Sequence, residues 1–198
     1  MKIIGVTGGV GAGKSTVLSY LEARYGARVI QADLAGHLVM EPGGLCYQQV
    51  LDLFGNNVKK EDDTIDRKKI SDIVFSQKEM LQELNAIIHP AVRAYILQEL
   101  QAERAAGRSL SVVEAALFLE AHYEEFCDEV WYIHTDEPIR IRRLMESRGY
   151  TEEKAGSIIR RQASESFFRA HTDVTIENNG DLPQTYQQID ERLRNILR

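Results

Sequence analysis

The chain has 198 residues, of which 43% are hydrophobic, with a formal net charge of −6 and two cysteines. That length fits one compact domain, and that composition excludes a disordered chain or a disulfide scaffold. The negative charge argues against a general nucleic-acid surface, and no apolar run approaches the ~18 residues of a transmembrane helix.

Lys2 to Val6 is apolar and β-branched, as expected of a buried central strand. It runs straight into Gly8-Gly9-Val10-Gly11-Ala12-Gly13-Lys14-Ser15, which fits G-x-x-x-x-G-K-[ST]. A helical pattern (Val17, Leu18, Leu21) follows and stops at Gly26. Glycines there let consecutive N–H groups turn inward as a nest for phosphate, and the helix start adds its positive dipole end. Lys14 is placed for the β- and γ-phosphates and the Ser15 hydroxyl for Mg²⁺. A dinucleotide fingerprint fails, because the sixth position counted from Gly9 is Lys14. The N-terminus has no signal-peptide pattern, and Cys46 and Cys127 lack metal or redox spacing. The expectation is a cytoplasmic protein with two reduced thiols, no membrane segment and no nucleic-acid partner.

Arg28 to Ala32 predicts a second strand, with Asp33 at its carboxyl end, where open parallel sheets collect ligands. Asp33 could take a proton from an attacking hydroxyl, or it could only cap a helix from Leu34 to Met40; the pattern leaves both open. Pro42-Gly43-Gly44 breaks the chain. A helix from Leu45 to Phe54 follows, then a polar loop from Asn56 to Asp66. Arg67 opens the next helix, a place the dipole does not favour for a cation, so it is either a surface charge or faces a ligand. Gln77 to Ile88 is helical in pattern, His89-Pro90 breaks it, and Pro90 to Ala106 resumes it. At such a break His89 is either a capping or core residue or a ligand contact.

Leu110 to Ala116 and Val130 to Ile133 predict the third and fourth strands. Glu114 and Glu120 are both candidates for an acid that organises Mg²⁺, and the pattern does not choose between them. A helix from Glu137 to Arg148 ends at Gly149, and Thr151 caps the next. Between Pro138 and Gln162 there are seven Lys or Arg and three acids, a local +4 inside a −6 chain. Two short arginine-rich helices joined at a glycine read as a closing lid over the phosphates; the alternative is a solvated basic face. Val174 to Ile176 is the fifth strand, and a helix from Leu182 to Leu197 closes the chain.

The ordered set of motifs resembles the dephospho-coenzyme A kinases over nearly the whole chain. It comprises Val6 to Thr16, Ala32-Asp33, Met40-Glu41-Pro42-Gly43, Asp66-Arg67, His89-Pro90, Leu117-Phe118-Leu119-Glu120, Arg143-Leu144-Met145 with Arg148, Gln162, and Asp173-Val174 leading to Glu177-Asn178-Asn179-Gly180. The resemblance implies transfer of the ATP γ-phosphoryl group to the ribose 3′-hydroxyl of dephospho-coenzyme A. It implies a P-loop kinase fold of class α/β: a five-stranded parallel sheet flanked by helices. Residues 1–198 would then form one domain, with a core at about 1–40, 108–136 and 170–198, a substrate-side helical region at about 41–107 and a lid at about 137–169. The implied catalytic residues are Asp33, Lys14, Arg143 and Arg148. Gly11, Ala12, Gly13, Lys14, Ser15, Thr16 and Asn178 are implied for ATP, and Ser15 for Mg²⁺. Thr7, Asp33, Arg67, His89 and Leu117 are implied for the acceptor.

Three departures stand out. Glu114-Ala115-Ala116-Leu117-Phe118 replaces a common Asp-x-Pro-Leu-Leu, Gln31-Ala32-Asp33 replaces Asp-Ala-Asp, and Arg140 replaces a frequent lid glutamine. Another P-loop small-molecule kinase, such as a nucleoside monophosphate kinase, stays open on pattern alone. A nucleotide switch fits less well, since no Asn-Lys-x-Asp guanine reader occurs.

Overall fold

The structure, a computed structural model, describes residues 1–197. Its strands are β1 (Lys2–Thr7), β2 (Arg28–Gln31), β3 (Leu110–Glu114), β4 (Glu129–His134) and β5 (Val174–Glu177). They form one five-stranded parallel sheet, as the resemblance implied, and its strand order is β2-β3-β1-β4-β5. Central β1 pairs with β3 on one side, Ile4 opposite Val112, and with β4 on the other, Val6 opposite Trp131. The loop after β1 therefore leaves the middle of the sheet at its carboxyl edge, where ligands bind in open α/β sheets.

The described residues fall into two compact units, residues 1–29 with 103–198, and residues 30–102. In the first unit, helices α1 (Lys14–Tyr25) and α9 (Leu182–Ile196) cover one face of the sheet. Val17, Leu18 and Leu21 from α1 and Ile189 and Leu193 from α9 meet Ile4, Val6, Val112, Trp131 and Ile133 in one core. Each fully buried side chain of this size contributes about 1.5–3 kcal/mol. Helices α6 (Glu137–Arg148) and α7 (Glu152–Arg160) carry a smaller cluster, Leu144, Ala155 and Ile159. Gly26 and Gly149 close α1 and α6 in the left-handed conformation, where the sequence places their ends. Thr151 caps α7, its hydroxyl accepting from the Lys154 amide at 3.2 Å. A further short helix, α8 (Glu165–Ala170), is one the pattern did not suggest. Ser164 caps it, and Phe168 stacks on Tyr132.

The second unit holds α2 (Ala32–Leu38), α3 (Tyr47–Phe54), α4 (Arg67–Ser76) and most of α5 (Lys78–Ala105). Two expectations are corrected here. The chain does not break at His89-Pro90: α5 is continuous, with Pro90 inside it. Proline removes one helical hydrogen bond, but Leu84, Ala91, Val92, Ile96 and Leu100 continue one buried stripe across it. Packing therefore carries the helix through the proline, and His89 is an exposed mid-helix residue and not a cap. Likewise Asp33 does not cap α2. The capping position is Gln31, with no side-chain hydrogen bond, and Asp33 lies in the first turn, exposed.

Candidate active site

The glycine-rich loop between β1 and α1 is shaped by its own backbone. Gly13, just before α1, has φ 85°, a conformation that side chains disfavour. The Thr16 and Val17 amides both turn onto the Gly13 carbonyl, at 3.1 and 3.3 Å, and the Ala12 amide closes onto Gly9 at 3.2 Å. Among the described residues this leaves the Gly11, Gly13, Lys14 and Ser15 amides with no acceptor. Orphan amides at a helix N-terminus, with the dipole behind them, form an anion site.

Lys14 curls over this loop. Its ammonium donates to the Gly8 carbonyl at 2.9 Å and lies 3.6 Å from the Glu114 carboxylate. Glu114 is buried and is the last residue of β3, not an interior one, so the third strand is shorter than the sequence suggested. The strand stops where the proline-less Ala115-Ala116 begins. Of the two glutamates, Glu114 is the acid beside the phosphate loop's lysine, whereas Glu120 is exposed. Thr7 ends β1 fully buried, its hydroxyl without a partner among the described residues. Ser15 is exposed in the first turn of α1.

The Ala12 carbonyl, at the back of the loop, collects donors from three directions. The Asn178 side-chain amide reaches it at 2.8 Å, the Thr135 hydroxyl at 3.0 Å and Arg143 Nη1 at 3.4 Å. Arg143 also donates to the Asn178 carbonyl at 2.9 Å, and burial followed by the Arg142 charge pushes its guanidinium down from its ordinary value. Asn178 is 2% exposed, and its Oδ1 accepts from Thr185 at 2.9 Å. Its side chain is therefore engaged in holding the loop. Thr135 carried no recognisable signal of this role, since a threonine after a strand reads only as a helix-start residue.

Two turns of α6 thus bear on the loop, with Arg140 donating to the Val10 carbonyl at 2.8 Å. Arg148 stands exposed in the last turn of α6, and Leu117 is 61% exposed after β3. Near the carboxyl end of β4, His134 lies 2.5 Å from Glu177 and 3.3 Å from Glu165, and Arg169 donates to both carboxylates. No spacing in the sequence marked this cluster, because its members come from three separate elements.

In the second unit, Arg67 begins α4, whose cap is Asp66, accepting from the Lys68 and Lys69 amides at 3.1 and 3.2 Å. Arg67 lines an apolar groove of about 260 Å³ with His37, Met40, Ile70, Val74, Leu84 and Ile88. Asp33 and His89 belong to this unit too, both exposed.

The dephospho-CoA kinase family model matches residues 2–184. A dephospho-CoA kinase of Geobacillus kaustophilus (strain HTA426) is 38% identical over 186 residues, covering 94% of this chain and 92% of that protein. That of Shouchella clausii (strain KSM-K16) is 36% identical over 190 residues, 96% of each. The solved dephospho-CoA kinase from Campylobacter jejuni superposes with a TM-score of 0.74 at 27% identity, covering 99% of this chain and 98% of that one. A phosphate loop braced by arginines of α6, in a chain matched along almost its whole length, places this protein in the dephospho-CoA kinase family.

Proposed function

We propose that this protein transfers the γ-phosphoryl group of ATP to the ribose 3′-hydroxyl of dephospho-coenzyme A, the last step of coenzyme A synthesis, in the cytoplasm. The observation that carries this reading is the phosphate loop with its open amides and its lysine, in a chain that the family model spans.

Phosphoryl transfer asks the protein mainly for positioning and charge. The Gly11, Gly13, Lys14 and Ser15 amides would hold the phosphates of ATP, and the Lys14 ammonium would swing from Gly8 and Glu114 onto the β- and γ-oxygens. The Ser15 hydroxyl and the Glu114 carboxylate are oxygen donors of the kind Mg²⁺ prefers, and that ion usually keeps several waters and takes the rest of its ligands from substrate phosphates. When bound, Mg²⁺ supplies charge neutralisation at the β- and γ-oxygens. Arg143 and Arg148 would add positive charge from the lid as the transferring group becomes electron-rich.

A ribose hydroxyl is a poor nucleophile at neutral pH, and Asp33, just past the carboxyl end of β2, would orient it and accept its proton. Arg67, His89, Thr7 and Leu117 would serve the acceptor. Arg67 lines a mostly apolar groove, which suits a ligand with both charged and apolar parts.

The test is ADP release with dephospho-coenzyme A compared against nucleoside monophosphates. Dephospho-coenzyme A should be turned over at least a hundredfold more efficiently, as binding groups beyond the nucleoside are used in the transition state. Faster turnover of any nucleoside monophosphate would overturn the reading.

A further inference from the structure

Val10 lies at the outer bend of the phosphate loop, and both polar groups of its backbone are held by side chains from the arginine-rich segment. Its carbonyl accepts from Arg140 Nε at 2.8 Å, and its amide donates to Gln162 Oε1 at 3.1 Å. Arg140 Nη2 donates to that same Gln162 oxygen at 2.5 Å, so the two side chains brace each other while each grips one side of the residue. The Arg140 guanidinium lies so close to the loop that a Cβ at Gly9 would collide with it. The Val10 side chain, in turn, packs against Leu144, Ala155 and Ile159.

This arrangement differs in kind from the amides that remain open. The Val10 N–H is turned out of the nest and committed to Gln162, whereas the Gly11, Gly13, Lys14 and Ser15 amides are left for an anion. A glycine-rich loop has many backbone states close in energy, and each residue left to fluctuate must be ordered at an entropic cost when the nucleotide binds. A loop ordered beforehand binds without that cost. Arg140 and Gln162 come from different helical segments, one in α6 and one just after α7, so the two sides of Val10 are held from separate places in the chain.

We propose that Arg140 and Gln162 act as a paired positioning device: a two-sided clamp on Val10 that holds the phosphate loop in its nucleotide-receiving shape. The device acts on the loop and makes no contact with the transferring group. It rests on the reading of the loop as the ATP site. The clamp makes nucleotide affinity depend on an uncharged residue, Gln162, as much as on Arg140, and makes the two depend on each other.

The test compares Arg140→Ala, Gln162→Ala and the double variant. Nucleotide affinity is measured by titration calorimetry with ATP and Mg²⁺, with no acceptor present. Each single variant should weaken binding roughly tenfold, the scale of one or two lost hydrogen bonds. The double variant should be little worse than either single, because Val10 is held only while both sides of it are gripped. Hydrogen exchange at the Val10 amide should speed up in both single variants, while the central strands stay protected.

Three results would overturn the clamp. One is full additivity in the double variant. Another is a parental affinity for Gln162→Ala alongside a weakened Arg140→Ala, which would make Arg140 a direct phosphate contact. The third is unchanged exchange at Val10. If Arg140→Ala does not fold, Gln162→Ala alone decides through its affinity and its Val10 exchange. A wrong acceptor would show instead as absent turnover of dephospho-coenzyme A in the parent, with the binding and exchange results unaffected.

Discussion

Lys14 and Glu114 form an ion pair almost closed to solvent, Nζ to Oε1 at 3.6 Å with side-chain exposures of 16% and 9%. Breaking one side of such a pair leaves a charge buried alone, which typically costs about 3–5 kcal/mol. Lys14→Ala should therefore do two separable things. It should cut kcat by about 10²–10³, the scale of a lost electrostatic contact to the transferring group. It should also lower the melting temperature, since Glu114 loses its cation. Adding Glu114→Gln to Lys14→Ala should restore much of the stability and none of the activity. Thermal melts and ADP release on the single and double variants check this; recovery of both together would show that Lys14 acts only through folding.

Arg143 and Arg148, both in α6, should part company. Arg143 is tied to Ala12, Thr135 and Asn178, whereas Arg148 is exposed at the end of α6. Arg143→Ala should lower stability and also lower kcat by about 10–10², with a smaller change in the KM for acceptor. Arg148→Ala should lower kcat alone, with a parental melting curve. If neither variant changes kcat, the +4 segment is a solvated face.

What the sequence made legible follows from how local each signal is. The phosphate loop, the ends of α1 and α6 at Gly26 and Gly149, and the Thr151 cap all lie within one turn of the residues that announce them. Proline at position 90 misled because its local penalty was outweighed by a buried stripe that runs the length of α5. Asp33 was open between base and cap because a capping position shifts by two residues without any change in pattern, and the cap proved to be Gln31. The contacts of Thr135, Arg140 and Gln162 with the loop join residues more than a hundred positions apart. No periodicity encodes such a contact; only the packing of α6 and α7 against the loop creates it.

The cluster at the end of β4 predicts an acid-sensitive contribution to stability. Burial pushes the Glu177 carboxyl up, but Arg169 and His134 outweigh it and hold it below its ordinary value; the Arg169 hydrogen bond does the same for Glu165. A carboxylate held low stabilises the fold above its unfolded value of 4.5 and loses that contribution as pH falls through the lower folded value. Arg169 and both glutamates are roughly half exposed, so solvent screening keeps the effect near 1 kcal/mol or less, about 2–4 °C in a chain of this size. Arg169→Ala should melt below the parent at pH 7, and the two curves should converge as the pH is taken below about 4. A deficit that is the same at both pH values would mean that Arg169 contributes by packing alone.

Asp33 gives the sharpest test, because the structure removes the rival explanation for its presence. It lies in the first turn of α2, exposed, while Gln31 occupies the capping position. An acid there gains at most about 0.3–1 kcal/mol from the helix dipole. Asp33→Asn keeps the size and one acceptor oxygen but cannot take a proton. If Asp33 is the base, kcat for dephospho-coenzyme A should fall by about 10² or more, the usual contribution of a positioned general base. The melting temperature should change by no more than the dipole contribution, and ATP affinity by titration should stay within about twofold, because the phosphates are held by the loop amides and Lys14. Part of the effect is orientational in phosphoryl transfer, so Asp33→Glu, which can accept a proton from a displaced position, should recover only a fraction of the rate. A folded Asp33→Asn variant with near-parental kcat would reject Asp33 as the base.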